Sequence, residues 1–230
     1  MVYLYVSMLA NIGLGDIPDN VVLFVEEDMG DVKSVFVQMI VQELLKNMKK
    51  IVYLSTARSC EEVMSKLLIS PSCTENSNFV VLGDFDDLSA LLYICQKDEK
   101  MCTDTEKMPD PLLRSILDAD VCIIDTFSYL FIEEDTGTIK EVLNSFVNMS
   151  KKNKTTFLLL SDMGILTDRT ERIIRSLADG IIQFRTEYAG SKINRYINIP
   201  KMPGNTPLNR MIPFNVTGKG ISIDTRERVG

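Results

Sequence analysis

Residues 20–46 read NVVLFVEEDMGDVKSVFVQMIVQELLK, and this stretch decides the fold. An apolar run from Val21 to Val25 gives way to polar residues around Gly30, then to Lys33 and Ser34. Beyond them Val35, Phe36, Met39, Ile40, Val41, Leu44 and Leu45 recur with helical spacing and form one broad apolar face. Strand, glycine-containing loop, Lys-Ser and helix is the layout of a phosphate-binding P-loop, in which backbone N–H groups at a helix start receive the anion. The residues inside the loop depart from that chemistry. The pattern G-x-x-x-x-G-K-[ST] asks for glycine where this chain has Glu27 and Val32. Val32 is β-branched and resists the positive φ that glycine supplies. Glu26, Glu27, Asp28 and Asp31 set four carboxylates beside the single ammonium of Lys33. Carboxylates repel phosphate, and strongly so where water is excluded.

Composition narrows the remaining options. A chain of 230 residues, 45% hydrophobic and 25% charged, is long enough for one large domain over residues 1–230 with a full core. Its net charge of −7 argues against a broad nucleic-acid footprint, and Lys49-Lys50 and Lys151-Lys152 read as solvated helix ends. The five cysteines, Cys60, Cys73, Cys95, Cys102 and Cys122, contain no C-x-x-C pair and imply reduced thiols in a cytoplasm. Histidine is absent, which excludes Ser-His-Asp, Cys-His and histidine-metal chemistry. No apolar run reaches membrane-spanning length, and the opening MVYLYVSMLANIG lacks the basic start of a signal peptide and reads as a strand. The 12 methionines read as core filler, and Asp84, Asp86 and Asp87 as a solvated turn.

Further along the chain, apolar runs predict strands at 51–54, 79–82, 121–125, 156–160 and 181–184. Helical spacing predicts helices at about 34–48, 61–68 with Ser59 as N-cap, 88–95, 112–117, 139–149 and 168–178, the last ended by Gly180. Residues 96–110 read as an exposed loop. Short alternating segments at 195–199, 212–216 and 220–223 predict a hairpin-rich end. Alternating strands and helices followed by hairpins describe an α/β fold, with a mainly parallel central sheet flanked by helices and a C-terminal antiparallel extension. Asp125 closes the clearest buried strand, where ligands of such sheets bind. Alone it reads as a turn cap; paired with Lys33 and Ser34 it reads as a true or vestigial magnesium position, with Ser34 supplying the hydroxyl.

Four blocks carry a family resemblance: GDIPDNVVLFVEEDMGDVKS, KKIVYLSTARSCEEV, LDADVCIIDTFSYL and RYINIPKMPGNTPLNRMIPFNVTGKGISIDTRERV. In this order they resemble the KaiC-like branch of the RecA superfamily over nearly the whole chain. The resemblance implies a RecA-like P-loop NTPase fold, ATP bound between subunits of a ring, and hydrolysis or phosphotransfer. Where the family carries two acids that activate water, this chain has Ala57 and Arg58, neither of which accepts a proton. Glu61 and Glu62 lie on the next helix as surface residues. Lys201 matches the first residue of the family's Lys-x-Arg pair, but Pro203 replaces the arginine. Loss of an oriented base costs about a hundredfold to ten-thousandfold in rate, and loss of a trans arginine about a thousandfold or more.

No catalytic residue is therefore expected. Gly30, Lys33, Ser34, Arg58, Asp125 and Lys201 form a vestigial nucleotide site, and Ser34 and Asp125 bind magnesium only if nucleotide binds. No cofactor is expected, with ATP and magnesium the candidates if binding survives. Arg58 is expected to pair with Glu26, Glu27 or Asp28 and fill the phosphate cavity. The function that follows is an inactivated ATPase homologue, regulatory or signalling, that contacts protein partners, itself or an active relative among them. The alternative is an ATP-binding or ATP-hydrolysing switch or ring subunit. A recombinase-like DNA accessory is disfavoured by the acidic charge.

Overall fold

The computed structural model describes residues 3–4, 17–69, 78–85, 91, 111–204, 208–218 and 220–223. Tyr3–Leu4 (β1) and Ile17–Pro18 (β2) pair as a short antiparallel ribbon. The main body runs β3 (Val22–Glu27), α1 (Val32–Lys46), β4 (Ile51–Ser55), α2 (Cys60–Lys66), β5 (Phe79–Leu82) and α3 (Pro111–Leu117). It continues through β6 (Val121–Asp125), a tight helical turn at Phe127–Phe131, α4 (Thr136–Asn153), β7 (Thr156–Asp162) and α5 (Asp168–Leu177). The strands β8 (Gly180–Ala189), β9 (Lys192–Lys201), β10 (Ile212–Thr217) and β11 (Gly220–Ile223) follow.

These strands form a nine-stranded sheet in the order β11-β10-β9-β8-β3-β7-β6-β4-β5. From β8 to β5 the strands are parallel; from β8 outward to β11 they are antiparallel. Near-continuous apolar runs such as VLFV and VCII suit parallel strands covered on both faces. Strand alternation sends Leu23 and Val25 into a core with Phe36 and Ile40 of α1, and Val22 and Phe24 into a second core with Val142 and Phe146 of α4. The α/β architecture with its antiparallel extension is the one the sequence implies.

Local signals act as read. Ser59 accepts from the Glu62 backbone N–H, and the Glu62 carboxylate accepts in return from the Ser59 N–H, a capping box that starts α2. Glu61 and Glu62 are exposed there, as expected. Gly180 behaves differently from its reading. It opens β8 instead of only ending a helix, and a Cβ there would stand 2.5 Å from Leu23 Cδ2. β8 also runs on to Ala189, well beyond the apolar segment at 181–184. Pairing with β9 carries its polar residues Arg185, Thr186 and Glu187, which no apolar run announces.

Most of the helix read at 88–95 lies outside the described residues, as do the loop at 96–110, Asp86, Asp87, Cys73, Cys95 and Cys102. Cys60 and Cys122 are free thiols, and burial pushes the Cys122 thiol up to about 12. Among the described residues no helix is long and apolar enough to cross a membrane.

Phe157 of β7 is 1% exposed and stacks on Phe146 of α4 with ring centroids 4.7 Å apart. Phe157→Ala is expected to cost about 3–5 kcal/mol. Urea denaturation checks this as a lower midpoint at unchanged slope.

Candidate functional site

Adjacent glutamates at the end of β3 point to opposite faces because side chains alternate along a strand. Glu27 falls on the α1 face and Glu26 on the α5 face. Asp125 at the end of β6 and Asp162 at the end of β7 share the Glu27 face, at the carboxyl ends of parallel strands where α/β sheets hold ligands.

The start of α1 needs acceptors, since the first N–H groups of a helix have none of their own. Asp31 is its N-cap residue, but the Asp31 side chain makes no cap bond to the helix. Glu27 does so instead. Its Oε2 accepts from the backbone N–H of Val32 at 2.9 Å and of Lys33 at 3.2 Å. Its Oε1 stands 3.4 Å from Lys33 Nζ, and Lys33 also pairs with Asp162. Glu27 is 2% exposed and Lys33 4% exposed, so a carboxylate sits buried at the positive end of the α1 dipole. Burial raises the Glu27 carboxyl above its usual range, against the opposing pull of the Lys33 ammonium and the two N–H donors. Gly30 takes φ +117°, a conformation the preceding turn requires and other residues resist.

A second cluster surrounds Asp125. Its Oδ2 accepts from Arg58 Nη1 at 2.6 Å and from Tyr53 Oη at 2.9 Å. Burial, and then the Asp125 charge, raise the Tyr53 phenol, which keeps its proton and donates. Thr56 Oγ1 donates to the carbonyls of Asp125 and Thr126, and Thr126 holds φ 59°, left-handed for a β-branched residue. Burial acts to raise the Asp31 carboxyl, but the Lys66 ammonium at 2.7 Å and the Ser34 hydroxyl outweigh it and hold it below the usual value. Ser34, Tyr53, Arg58, Lys66 and Asp125 line a common cavity of about 10 Å³, room for one water.

The expected pairing of Arg58 with Glu26, Glu27 or Asp28 does not form. Glu26 is held on the opposite face by Arg175 Nε at 2.8 Å, Arg175 Nη2 at 2.9 Å and Gln183 Nε2 at 2.6 Å. Glu27 is engaged by α1, and the Asp28 carboxylate accepts from the Thr186 N–H at 3.0 Å. Arg58 follows β4, whose neighbour is β6 and not β3, so its reach is to Asp125. Lys33, Ser34, Gly30, Arg58 and Asp125 gather around the start of α1 and the ends of β4 and β6. Lys201, which the resemblance directs to a neighbouring subunit's phosphate, lies apart from them within the chain. It pairs with Ile181 near the start of β8, and its Nζ donates to the Ser176 and Ala178 carbonyls at the end of α5. Asp162 and Tyr53 belong to the site although the sequence reading passed over them. Asp162 closes the run FLLLSD much as Asp125 closes VCIID, a signal that was present. Tyr53 is placed only by the β4–β6 register. Among the described residues no three His, Cys, Asp or Glu side chains group as a metal site.

A sequence model of the KaiC ATPase family matches residues 4–228. Among solved structures, the flagellar accessory protein FlaH from Methanocaldococcus jannaschii is similar at a TM-score of 0.73 and 18% identity, over 96% of this chain and 98% of that one. A KaiC-like protein from Pyrococcus horikoshii OT3 is similar at a TM-score of 0.68 and 16% identity, over 91% and 92% of the two chains. No curated protein matches the sequence. At these identities the two structures bear on the fold alone.

Glu27 carries a pH signature. With its folded value raised above the ordinary 4.5, the native state keeps a proton that the unfolded chain has already released. Stability attributable to this group is therefore full below pH 4.5 and falls as pH rises through the folded value. Glu27→Gln is expected to flatten that part of the stability–pH curve, read by urea titrations at a series of pH values. An unchanged slope would assign the titration to another group.

Proposed function

The chain belongs to the KaiC family of ATPases, and from that premise we propose that it is an inactivated member acting as a regulatory protein-interaction module. The observation that carries this reading is the Glu27 carboxylate seated on the Val32 and Lys33 N–H groups. A nucleotide phosphate needs those same donors. To take them it must displace a buried carboxylate and leave it beside the phosphate, two charges of one sign in a place shielded from water.

ATP and magnesium, which the family binds, do not fit the residues present. Lys33 is divided between Glu27 and Asp162, the Ser34 hydroxyl turns to Asp31, and Asp125 is taken by Arg58. The cavity that Ser34 and Asp125 share, about 10 Å³, falls far short of the several hundred Å³ of an ordinary ligand site. Arg58 offers only donors, so nothing at that position activates water.

Protein contact is supported by exposed apolar side chains beside the same loop. Met29, Tyr188 and Ile193 are 60%, 62% and 50% exposed. Tyr188 faces Ile193 across the β8–β9 hairpin, and Tyr188 Oη donates to Met29 Sδ at 3.3 Å. We assign to this patch a protein partner, a second copy or an active relative, and to the whole a signalling role in the cytoplasm.

Calorimetry tests the phosphate half. The wild-type protein is expected to show no ATP binding at millimolar nucleotide with magnesium, while Glu27→Ala, which frees the α1 N–H groups and Lys33, gains measurable binding. Magnesium-dependent ATP turnover by the wild type that disappears in Lys33→Ala would overturn the proposal in favour of an ATP-driven switch. The contact half is read by sedimentation velocity: self-association that rises with concentration is expected to fall in a Tyr188→Glu, Ile193→Glu double variant. Identical profiles for both proteins would remove the patch from self-association.

A further inference from the structure

We propose that the acid-bordered apolar face presented by Tyr129, Ile132 and Ile165 is a docking surface for a basic amphipathic helix of a protein partner. It adds a second contact surface to the one at Met29, Tyr188 and Ile193, and it stands whether or not the phosphate site is self-filled.

The face follows from how the chain leaves β6. Phe127–Phe131 is a 3₁₀ helix, with Ile132 as its C-cap residue in helical conformation. Residues three apart eclipse in such a helix. Phe127 and Leu130 therefore turn together into the core beside α4, and Tyr129 and Ile132 turn together outward. The outward pair is 44% and 54% exposed. β7 lies beside β6 and parallel to it, so the loop after β7 brings Ile165, 41% exposed, to the same end of the sheet. Leu130 of the turn and Leu166 of the loop are buried in one core, which holds both segments in place. A single exposed apolar side chain is ordinary on a protein surface; an eclipsed pair on fixed backbone, with a third at the same sheet end, is a set of anchors.

Charge selects the occupant. Glu133, Glu134 and Asp135 follow Ile132 directly and are exposed. The Asp135 carboxylate accepts from the Gly137 and Thr138 N–H groups at the start of α4, while Glu133 and Glu134 have no ion-pair partner among the described residues. Along α4, Lys140 is offset by the adjacent Glu141. On the α5 side Arg172 pairs with Asp168, and Arg169 adds one positive charge against the three acids. The border is net negative, so it repels the phosphates of nucleic acid or of an anionic bilayer. Lysine and arginine are drawn to it, and apolar side chains beside them cover Tyr129 and Ile132. An amphipathic helix supplies both, with apolar residues three and four apart and basic residues flanking them.

Fluorescence anisotropy with a labelled helical peptide, leucine on one face and lysine on the rest, tests this. The wild-type chain is expected to bind it, less tightly as salt rises, and to ignore the same peptide with glutamate in place of lysine. Two variants at exposed positions, Tyr129→Ser with Ile132→Ser and Glu133→Lys with Glu134→Lys, are each expected to weaken binding at least about tenfold. Glu61→Lys with Glu187→Lys changes the net charge equally and is expected to keep the wild-type affinity, as is Tyr188→Ser with Ile193→Ser. No binding by the wild type would overturn the proposal. Equal losses in the two charge variants would also overturn it, in favour of diffuse acidity, and a loss in the Tyr188 and Ile193 variant would move the contact to the β8–β9 hairpin. Sedimentation velocity and flotation with phosphatidylcholine vesicles cover the remaining occupants: self-association or vesicle binding that disappears in Tyr129→Ser with Ile132→Ser would assign the face to a second copy or to a lipid surface instead.

Discussion

The buried carboxylate of Glu27 at the start of α1 is the contact on which the rest of the site depends. The first N–H groups of a helix carry partial positive charge and require an acceptor. In a nucleotide-binding loop of this shape the acceptor arrives from outside as phosphate. Here the last residue of the preceding strand provides it, so the loop is complete with the chain's own atoms. Lys33 follows from this, because an ammonium 4% exposed is tolerable only between carboxylates, and Glu27 and Asp162 both face it.

Charge is balanced cluster by cluster and not across the molecule as a whole. On the α1 face Lys33 answers Glu27 and Asp162, Arg58 answers Asp125, and Lys66 answers Asp31. On the α5 face Arg175 bridges Glu26 and Glu171, with its own charge held more firmly by the Glu26 hydrogen bond. Four consecutive positions in sequence, Glu26 to Met29, thus serve separate tasks: an ion pair, a helix start, a hairpin anchor through Thr186 and an exposed apolar contact. Period-two alternation separates the first two, and the end of the strand releases the others.

Much of the architecture was legible because its signals are local. VLFV, VCII and FLLL are runs that only a strand covered on both faces would bury. Ser59 with Glu62 marks a helix start through bonds that span three residues. The extent of β8 was not legible, because the polar residues after Phe184 are held by their partners on β9 and by no property of their own. The partner of Arg58 was misread for a related reason. The family resemblance implies that it stands beside the acids of the loop, but the crossover after β3 sends β4 past two strands to lie beside β6.

What the residues determined unaided is the kind of frame and the departure of its loop from the glycine pattern: apolar periodicity names strands and helices, and Glu27 and Val32 stand where that pattern has glycine wherever they are placed. Which acid meets which base was decided by the tertiary structure. Electrostatic pairing depends on distances between strand ends far apart in the chain, and those distances follow from sheet order and register. Only folding could seat Glu27 on its own helix and Arg58 on Asp125.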